Sequence, residues 1–168
     1  DVCSSDLSKE TDILNPKNPY SASKVASEHM LVAFENTYGL PYKITRCTNN
    51  FGPFQSLDKL IPKTINLLLC GKNVPIYGDG NQIRDWLYVD DHIDAILKLI
   101  EIPDRKIVVN IGANNERTNL ELVTKIATLL DEMYPIKAKS YQDNIKFVED
   151  RPGHDQRYAI NASKLKSL

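Results

Sequence analysis

The chain has 168 residues, which suits one ordinary domain or part of a larger protein. Its 42% hydrophobic and 26% charged residues are typical of a globular protein, and a net charge of −1 offers no basic field for nucleic acid. The sequence has no apolar run long enough to span a bilayer, and its three cysteines lack the spacing of metal ligands. We therefore expect a cytoplasmic protein that binds neither nucleic acid, nor a membrane, nor a structural metal.

Apolar spacing and turn residues predict alternating helices and strands along the chain. Four segments have helical periodicity: 20–38, 60–69, 90–101 and the segment to Met133 that follows the capping box Thr118-x-x-Glu121. Four short segments have strand character: 42–46, 74–77, 107–111 and 145–148. The first strand leads into a predicted loop, Asn49-Asn50-Phe51-Gly52-Pro53. This alternation predicts an α/β fold with a parallel sheet.

A complete dinucleotide-binding fold opens with a strand, a glycine-rich turn and a helix that holds the pyrophosphate. Gly78-Asp79-Gly80 has neither the third glycine nor the following helix, so it predicts only a turn. We therefore expect the glycine-rich loop to lie upstream of residue 1.

Tyr20 and Lys24 are four residues apart at the start of the first predicted helix, and so lie on one face of it. Deprotonating a phenol at pH 7 costs roughly 4 kcal/mol, and a neighbouring ammonium lowers that cost by stabilising the phenolate. Such a Tyr can accept a proton from a substrate hydroxyl during hydride transfer to a nicotinamide. The spacing alone is also found in surface helices, so its sequence context decides its meaning.

That context consists of four blocks, which occur in this order: Asn18–Lys24, Arg46–Pro53, Arg84–Val89 and Asp150–Asp155. Together they closely resemble the C-terminal half of the dTDP-glucose 4,6-dehydratases, a group within the extended short-chain dehydrogenase/reductase family. The resemblance runs from about Ser8 to Leu168 and implies the C-terminal half of a Rossmann-type NAD-binding fold with a smaller substrate-binding domain.

The resemblance also implies domain boundaries. Residues 8–56 would complete the NAD-binding domain, and residues 57–168 would form mostly the nucleotide-sugar domain, with residues around 81–112 returning to the first. Residues 1–7 match nothing in the family at this place, and we expect them to be a non-native scar. Ser4-Ser5-Asp6 imitates the family's catalytic Ser-Thr-Asp-Glu run, but Leu7 stands where the Glu belongs. The true acid pair is expected upstream, and the extreme C-terminus is also expected to be missing.

In the family, the Tyr is the base for the sugar C4 hydroxyl and the Lys also binds the nicotinamide ribose. The resemblance carries these roles to Tyr20 and Lys24, places Asn50 near the nicotinamide, and makes Asn49 a contact of the sugar nucleotide. The two Asn residues could instead simply form a turn before Gly52 and Pro53.

The remaining implied substrate contacts are Lys59, Leu60, Pro75, Ile76, Tyr77, Arg84, Asn119, Arg151 and His154. Arg84 and Arg151 would bind the diphosphate, because a guanidinium matches phosphate oxygens in a way that Lys does not. Several members have ordinary alternatives: 75–77 as a buried edge strand, Asn119 as a helix cap and Lys59 as a solvated cation. His29 and His92 are interpreted as surface histidines.

The implied activity is conversion of dTDP-glucose to dTDP-4-keto-6-deoxyglucose and water, with NAD as a regenerated cofactor, in deoxysugar (rhamnose type) biosynthesis. A UDP-glucose 4,6-dehydratase, a nucleotide-sugar epimerase and a non-catalytic binding fragment are the alternatives. Relatives commonly pair through the helix that bears the Tyr-Lys motif, so a homodimer is expected. The 168 residues alone are expected to have no turnover.

Overall fold

The computed structural model describes residues 7–151, 153–154 and 156–168. Of the predicted scar, residues 1–6 therefore lie outside the described residues, as do two positions of the last family-like block, Pro152 and Asp155. The scar and the domain boundaries remain predictions.

Helices and short strands alternate along the described chain. The α-helices are α1 Pro19–Tyr38, α2 Leu60–Leu69, α3 Val89–Glu101, α4 Asn119–Met133 and α5 Ser163–Ser167, with a 3-10 turn at Tyr141–Asn144. The strands are β1 Tyr42–Cys47, β2 Asn49–Phe51, β3 Val74–Tyr77, β4 Ile83–Tyr88, β5 Lys106–Ile111, β6 Glu116–Thr118, β7 Ile145–Val148 and β8 Arg157–Tyr158. The four predicted helices and four predicted strands are confirmed to within about a residue at most ends.

The strands form three small sheets in which most neighbours are parallel, as the α/β pattern predicts. β1 pairs with β5, and β3 pairs with β7, both in parallel. In the third sheet β4 is flanked by β2, β6 and β8, and only its pairing with β6 is antiparallel. The predicted loop at Asn49 is wrong in part, because Asn49–Phe51 extend along β4 as a strand.

Two hydrophobic clusters hold these elements together. The first joins α2, β3, α4 and the 3-10 turn through Leu68, Val74, Ile76, Val123, Ile126, Ala127, Leu130 and Tyr141. The second joins β4, α3 and β5 through Leu87, Ala95, Leu99, Ile107, Val109 and Ile111. Burial of this apolar area is the main favourable contribution to folding, at about 25 cal/mol per Å².

The first helix departs from the usual amphipathic arrangement. Asn18 caps α1 by accepting a hydrogen bond from the Ser21 amide at 2.8 Å, and Gly39 ends it in a left-handed conformation. No residue of α1 is buried, although its sequence has a broad apolar stripe. Met30, Leu31 and Phe34 are all exposed, so this stripe is available to another surface.

Candidate functional site

The Tyr-Lys pair lies on the first turns of α1, where the Asn18 cap and Pro19 fix the start of the helix. The Lys24 ammonium lies 5.5 Å from the centre of the Tyr20 ring, so the two side chains share one face as the spacing predicts. Tyr20 is 72% exposed, and its phenol is therefore accessible to a substrate.

Lys59 precedes α2 and is exposed. Its ammonium donates to the Asp58 carboxylate at 2.8 Å, which lowers the pKa of Asp58 to about 2. The same hydrogen bond raises the pKa of Lys59, and the charge of Tyr20 makes a smaller contribution in the same direction. Lys59 is thus an exposed cation paired with Asp58, whereas Leu60 begins α2 and packs against the first hydrophobic cluster.

Asn50 is held in one orientation by its neighbours. Its Nδ2 donates to the Thr48 carbonyl at 3.1 Å, and its Oδ1 lies 2.8 Å from Nδ1 of His92. Asn49 precedes it in β2, opposite Trp86 of β4. Because the Asn50 amide nitrogen binds the Thr48 carbonyl, the Asn50 amide oxygen faces the His92 ring. An amide oxygen only accepts hydrogen bonds, so His92 is the donor in this contact.

The interpretation of His92 as an ordinary surface histidine is wrong. Its ring is partly buried, its Nε2 is buried without a hydrogen-bond partner among the described residues, and desolvation lowers its pKa below 6.5. His29, by contrast, is exposed as predicted. The sequence held no signal for His92, because its neighbours in α3 are exposed carboxylates and the burial comes from packing against β2.

Arg84 lies in the middle of the third sheet. Its partners across the strands are Arg117 of β6 and Tyr158 of β8, and its Nη1 donates to the Ile83 carbonyl at 2.7 Å. Two cationic side chains therefore lie next to each other on one face of this sheet, which favours binding of an anion there. Strand β4 was not predicted, because charged residues interrupt its apolar pattern.

The next residue, Asp85, is structural. Its carboxylate is 1% exposed and accepts hydrogen bonds from the amides of Ala113 at 2.9 Å and Asn115 at 2.7 Å. A side chain at Gly112 would lie 2.8 Å from the same carboxylate. Asp85 thus fixes the connection that leads from β5 to β6.

The predicted contacts at 75–77 differ in accessibility. Ile76 is 2% exposed and belongs to the first hydrophobic cluster, so its side chain is occupied by the core. Pro75 is partly buried, and Tyr77 is the exposed member of the three. The alternative of a strand at the edge of a sheet is therefore correct for β3, and Tyr77 has the accessible side chain.

Arg151 and His154 lie in the segment that follows β7. Arg151 is exposed, and its amide donates to Asp150 at 2.8 Å. The His154 side chain is only 5% exposed, because its Nδ1 lies 2.7 Å from the Asp150 carboxylate. That hydrogen bond is the largest cause of the lowered pKa of Asp150.

Asn119 opens α4, but the cap of that helix is Thr118, whose hydroxyl accepts from the Glu121 amide. The Asn119 side chain instead donates to Gln82 at 3.4 Å. Gln82 also contacts the Tyr77 carbonyl and Asp150, so it touches two predicted substrate contacts, Tyr77 and Asn119, although the sequence did not single it out. A lone glutamine between a turn and a strand has no periodicity that would reveal such a role.

The parallel strands and the Tyr-Lys helix are those of the extended short-chain dehydrogenase/reductase class, whose solved members include the next two examples. A dTDP-glucose 4,6-dehydratase from Bacillus anthracis, crystallised with NAD, is 45% identical, with a TM-score of 0.83 over 95% of this chain and 48% of its own. A UDP-glucuronic acid 4-epimerase from Bacillus cereus is 26% identical, with a TM-score of 0.84 over 98% of this chain and 50% of its own.

Sequence comparison narrows the class to one family. The sequence profile described as GDP-mannose 4,6 dehydratase matches residues 3–168, and the chain belongs to this family. The dTDP-glucose 4,6-dehydratase 1 of Escherichia coli K12 is 50% identical over 159 residues, which are 95% of this chain and 44% of that protein. The chain thus spans about half the length of the relatives it matches.

Proposed function

We propose that the full-length protein containing this chain is an NAD-dependent dehydratase that converts dTDP-glucose to dTDP-4-keto-6-deoxyglucose and water. The observation that carries this proposal is the Tyr20-Lys24 pair on an accessible helix start, in a chain 50% identical to a dTDP-glucose 4,6-dehydratase. Fold alone does not separate dehydratases from epimerases, because the Bacillus cereus epimerase matches equally well in structure. The higher identity to dehydratases favours elimination.

The described residues fit a nicotinamide cofactor. Lys24 would bind its ribose, and Asn50, fixed by Thr48 and His92, would lie near its ring. NAD, when bound, would supply the hydride acceptor for the sugar carbon.

In this proposal Tyr20 removes the proton from the sugar C4 hydroxyl, and its exposure lets a substrate reach it. The Lys24 ammonium, 5.5 Å from the centre of the Tyr20 ring, places a positive charge beside the phenol that accepts this proton. The proposal also requires an acid and a base for water elimination in the full-length protein.

The diphosphate of the substrate is proposed to bind Arg84 and Arg151, with the remaining contacts from Asn49, Lys59, Tyr77, Asn119 and His154. Arg84 lies beside Arg117, and the combined positive charge suits a diphosphate. The proposed division into two domains is supported by the two hydrophobic clusters, since one combines α3 with β4 and β5 and the other combines α2 with α4.

A homodimer is proposed on the exposed stripe of α1, because Met30, Leu31 and Phe34 otherwise face solvent. Cytoplasmic location is proposed from the composition and from the odd number of cysteines, which lack ligand spacing. Within the described chain, no helix combines the length and apolar character needed to cross a membrane.

The test is incubation of the full-length protein with dTDP-glucose and NAD, followed by mass spectrometry of the nucleotide sugar. A dehydratase gives a product lighter by one water, whereas an epimerase leaves the mass unchanged. The same reaction with UDP-glucose measures nucleotide preference. A product of unchanged mass, or no product from either substrate, would contradict the proposal.

A further inference from the structure

Gln82 is an almost completely buried polar residue between the Gly78–Gly80 turn and β4, with 1% of its surface exposed. A buried amide is costly unless its donor and acceptor groups are both used. The groups that satisfy it come from three separate segments of the chain. Each of these segments carries a residue that we assign to substrate binding.

The amide nitrogen of Gln82 contacts Asp150. Its Nε2 lies 3.2 Å from Oδ2 of Asp150, while Oδ1 of the same carboxylate accepts from His154 at 2.7 Å and from the Arg151 amide at 2.8 Å. Asp150 therefore uses one oxygen to hold the segment of Arg151 and His154, and the other to anchor itself to Gln82. Hydrogen bonds to a charged group are stronger than neutral ones, so this anchor is substantial.

The other contacts of Gln82 reach β3 and α4. Nε2 also lies 3.3 Å from the Tyr77 carbonyl, and Oε1 accepts from the Asn119 side chain at 3.4 Å. The Gln82 carbonyl accepts from the Asn119 amide at 3.0 Å. An amide is the side chain that can do this, because a carboxylate lacks the donor and an apolar residue lacks both groups.

We propose that Gln82 is a positioning residue of the nucleotide-sugar site, whose amide fixes Asp150 and thereby the segment of Arg151 and His154 relative to Tyr77 and Asn119. This inference rests on the proposed function for the identity of the ligand. Gln82 acts through Asp150 and Asn119 rather than through the reacting atoms. Its loss should weaken binding of the nucleotide sugar more than it slows the chemistry at Tyr20.

Gln82→Glu separates this role from simple space filling. At neutral pH it places a second carboxylate against Asp150, and two like charges at hydrogen-bond distance cannot both remain ionised without cost. On acidification one of them takes a proton, and the new O–H can donate across the pair as Nε2 did. The other ionisable groups around this position are Asp79 in the turn, and Arg151 and His154 in the Asp150 segment.

Gln82→Leu provides the reference, because it removes the amide at similar volume and cannot be repaired by a proton. Effects of pH elsewhere in the protein are present in Gln82→Leu as well, so the difference between the two variants reports on position 82. Gln142→Glu is the matched control, since that glutamine is exposed and, among the described residues, its side chain donates only to the Thr128 hydroxyl, at 3.3 Å.

The measurement is the Kd of the full-length protein for dTDP-glucose between pH 5 and pH 8, with kcat and KM alongside. We expect Gln82→Leu to raise Kd and KM about tenfold or more at every pH, with a smaller change in kcat. Gln82→Glu should match it at pH 8 and approach the unsubstituted protein at pH 5. Unchanged binding by both variants, or no recovery of Gln82→Glu on acidification, would overturn the proposal.

A second measurement stands without any ligand. Hydrogen exchange of the Arg151 amide, which donates to Asp150, should be faster in Gln82→Leu, while the 3-10 turn at 141–144 keeps its exchange rate. Unchanged exchange at Arg151 would overturn the role of Gln82 whatever the substrate is. If the unsubstituted protein fails to bind dTDP-glucose but exchange is faster in the variant, the proposed ligand is wrong and the positioning role remains.

Discussion

Asp85→Asn is expected to destabilise the protein although it changes one atom and preserves shape. The carboxylate is buried and accepts two backbone hydrogen bonds, from Ala113 at 2.9 Å and Asn115 at 2.7 Å. The amide of Asn keeps one acceptor, and its NH2 group then faces a backbone N–H. One hydrogen bond to a charged group is lost, and both the backbone N–H and the new NH2 group are left without an acceptor, which costs about 2–3 kcal/mol of unfolding free energy.

The assay is urea unfolding followed by the fluorescence of Trp86, the single tryptophan of the chain, which is next to Asp85 and buried. Asp94→Asn is the matched control, because Asp94 is exposed on α3 and should change stability by less than about 0.5 kcal/mol. Gly112→Ala should also destabilise, since its Cβ would lie 2.8 Å from Asp85. Equal midpoints for Asp85→Asn and Asp94→Asn would refute this account of the β5–β6 connection.

Three further predictions concern pH, the diphosphate and assembly. Burial lowers the pKa of His92 below 6.5, so the unfolded chain binds a proton more readily than the folded chain does. The free energy of unfolding should therefore fall as the pH drops below about 6.5. In thermal melts, His92→Gln should reduce this dependence of stability on pH, whereas His29→Gln, at an exposed residue, should not. Arg151→Ala should raise the calorimetric Kd for dTDP-glucose at least tenfold while the exposed Arg105→Ala leaves it unchanged, and equal affinities would rule out the diphosphate role. Phe34→Asp should convert a dimer to a monomer in analytical ultracentrifugation, and an undiminished dimer would exclude the α1 stripe as the interface.

The sequence predicted the long elements well, because their apolar periodicity and end signals agree. The capping box at Thr118 begins α4, and the left-handed Gly39 ends α1, both where the sequence predicts. Strand β4 was missed because Arg84 and Asp85 interrupt its pattern, and the buried Asp85 is explained by hydrogen bonds to Ala113 and Asn115, which are distant in sequence. Propensity alone cannot reveal such contacts.

The candidate site was predicted by motif rather than by geometry. Tyr20 and Lys24 are four residues apart on a helix, so the closeness of their side chains was predictable from the sequence spacing alone. Gln82 and His92 were missed, because each gains its role from partners 30 to 70 residues away, such as Asp150 for Gln82. Ile76 is the opposite case: it lies in a predicted ligand-contact segment, but its side chain is buried in the core.

The most direct test of the central claim compares Tyr20→Phe with Tyr38→Phe in the full-length protein. Both tyrosines are exposed on α1, at its two ends, and both changes remove only a hydroxyl. We predict that Tyr20→Phe lowers kcat for dTDP-glucose dehydration about 100-fold or more with little change in Kd, because a general base is lost, whereas Tyr38→Phe retains activity. Comparable turnover by both variants would contradict the assignment of Tyr20 as the base.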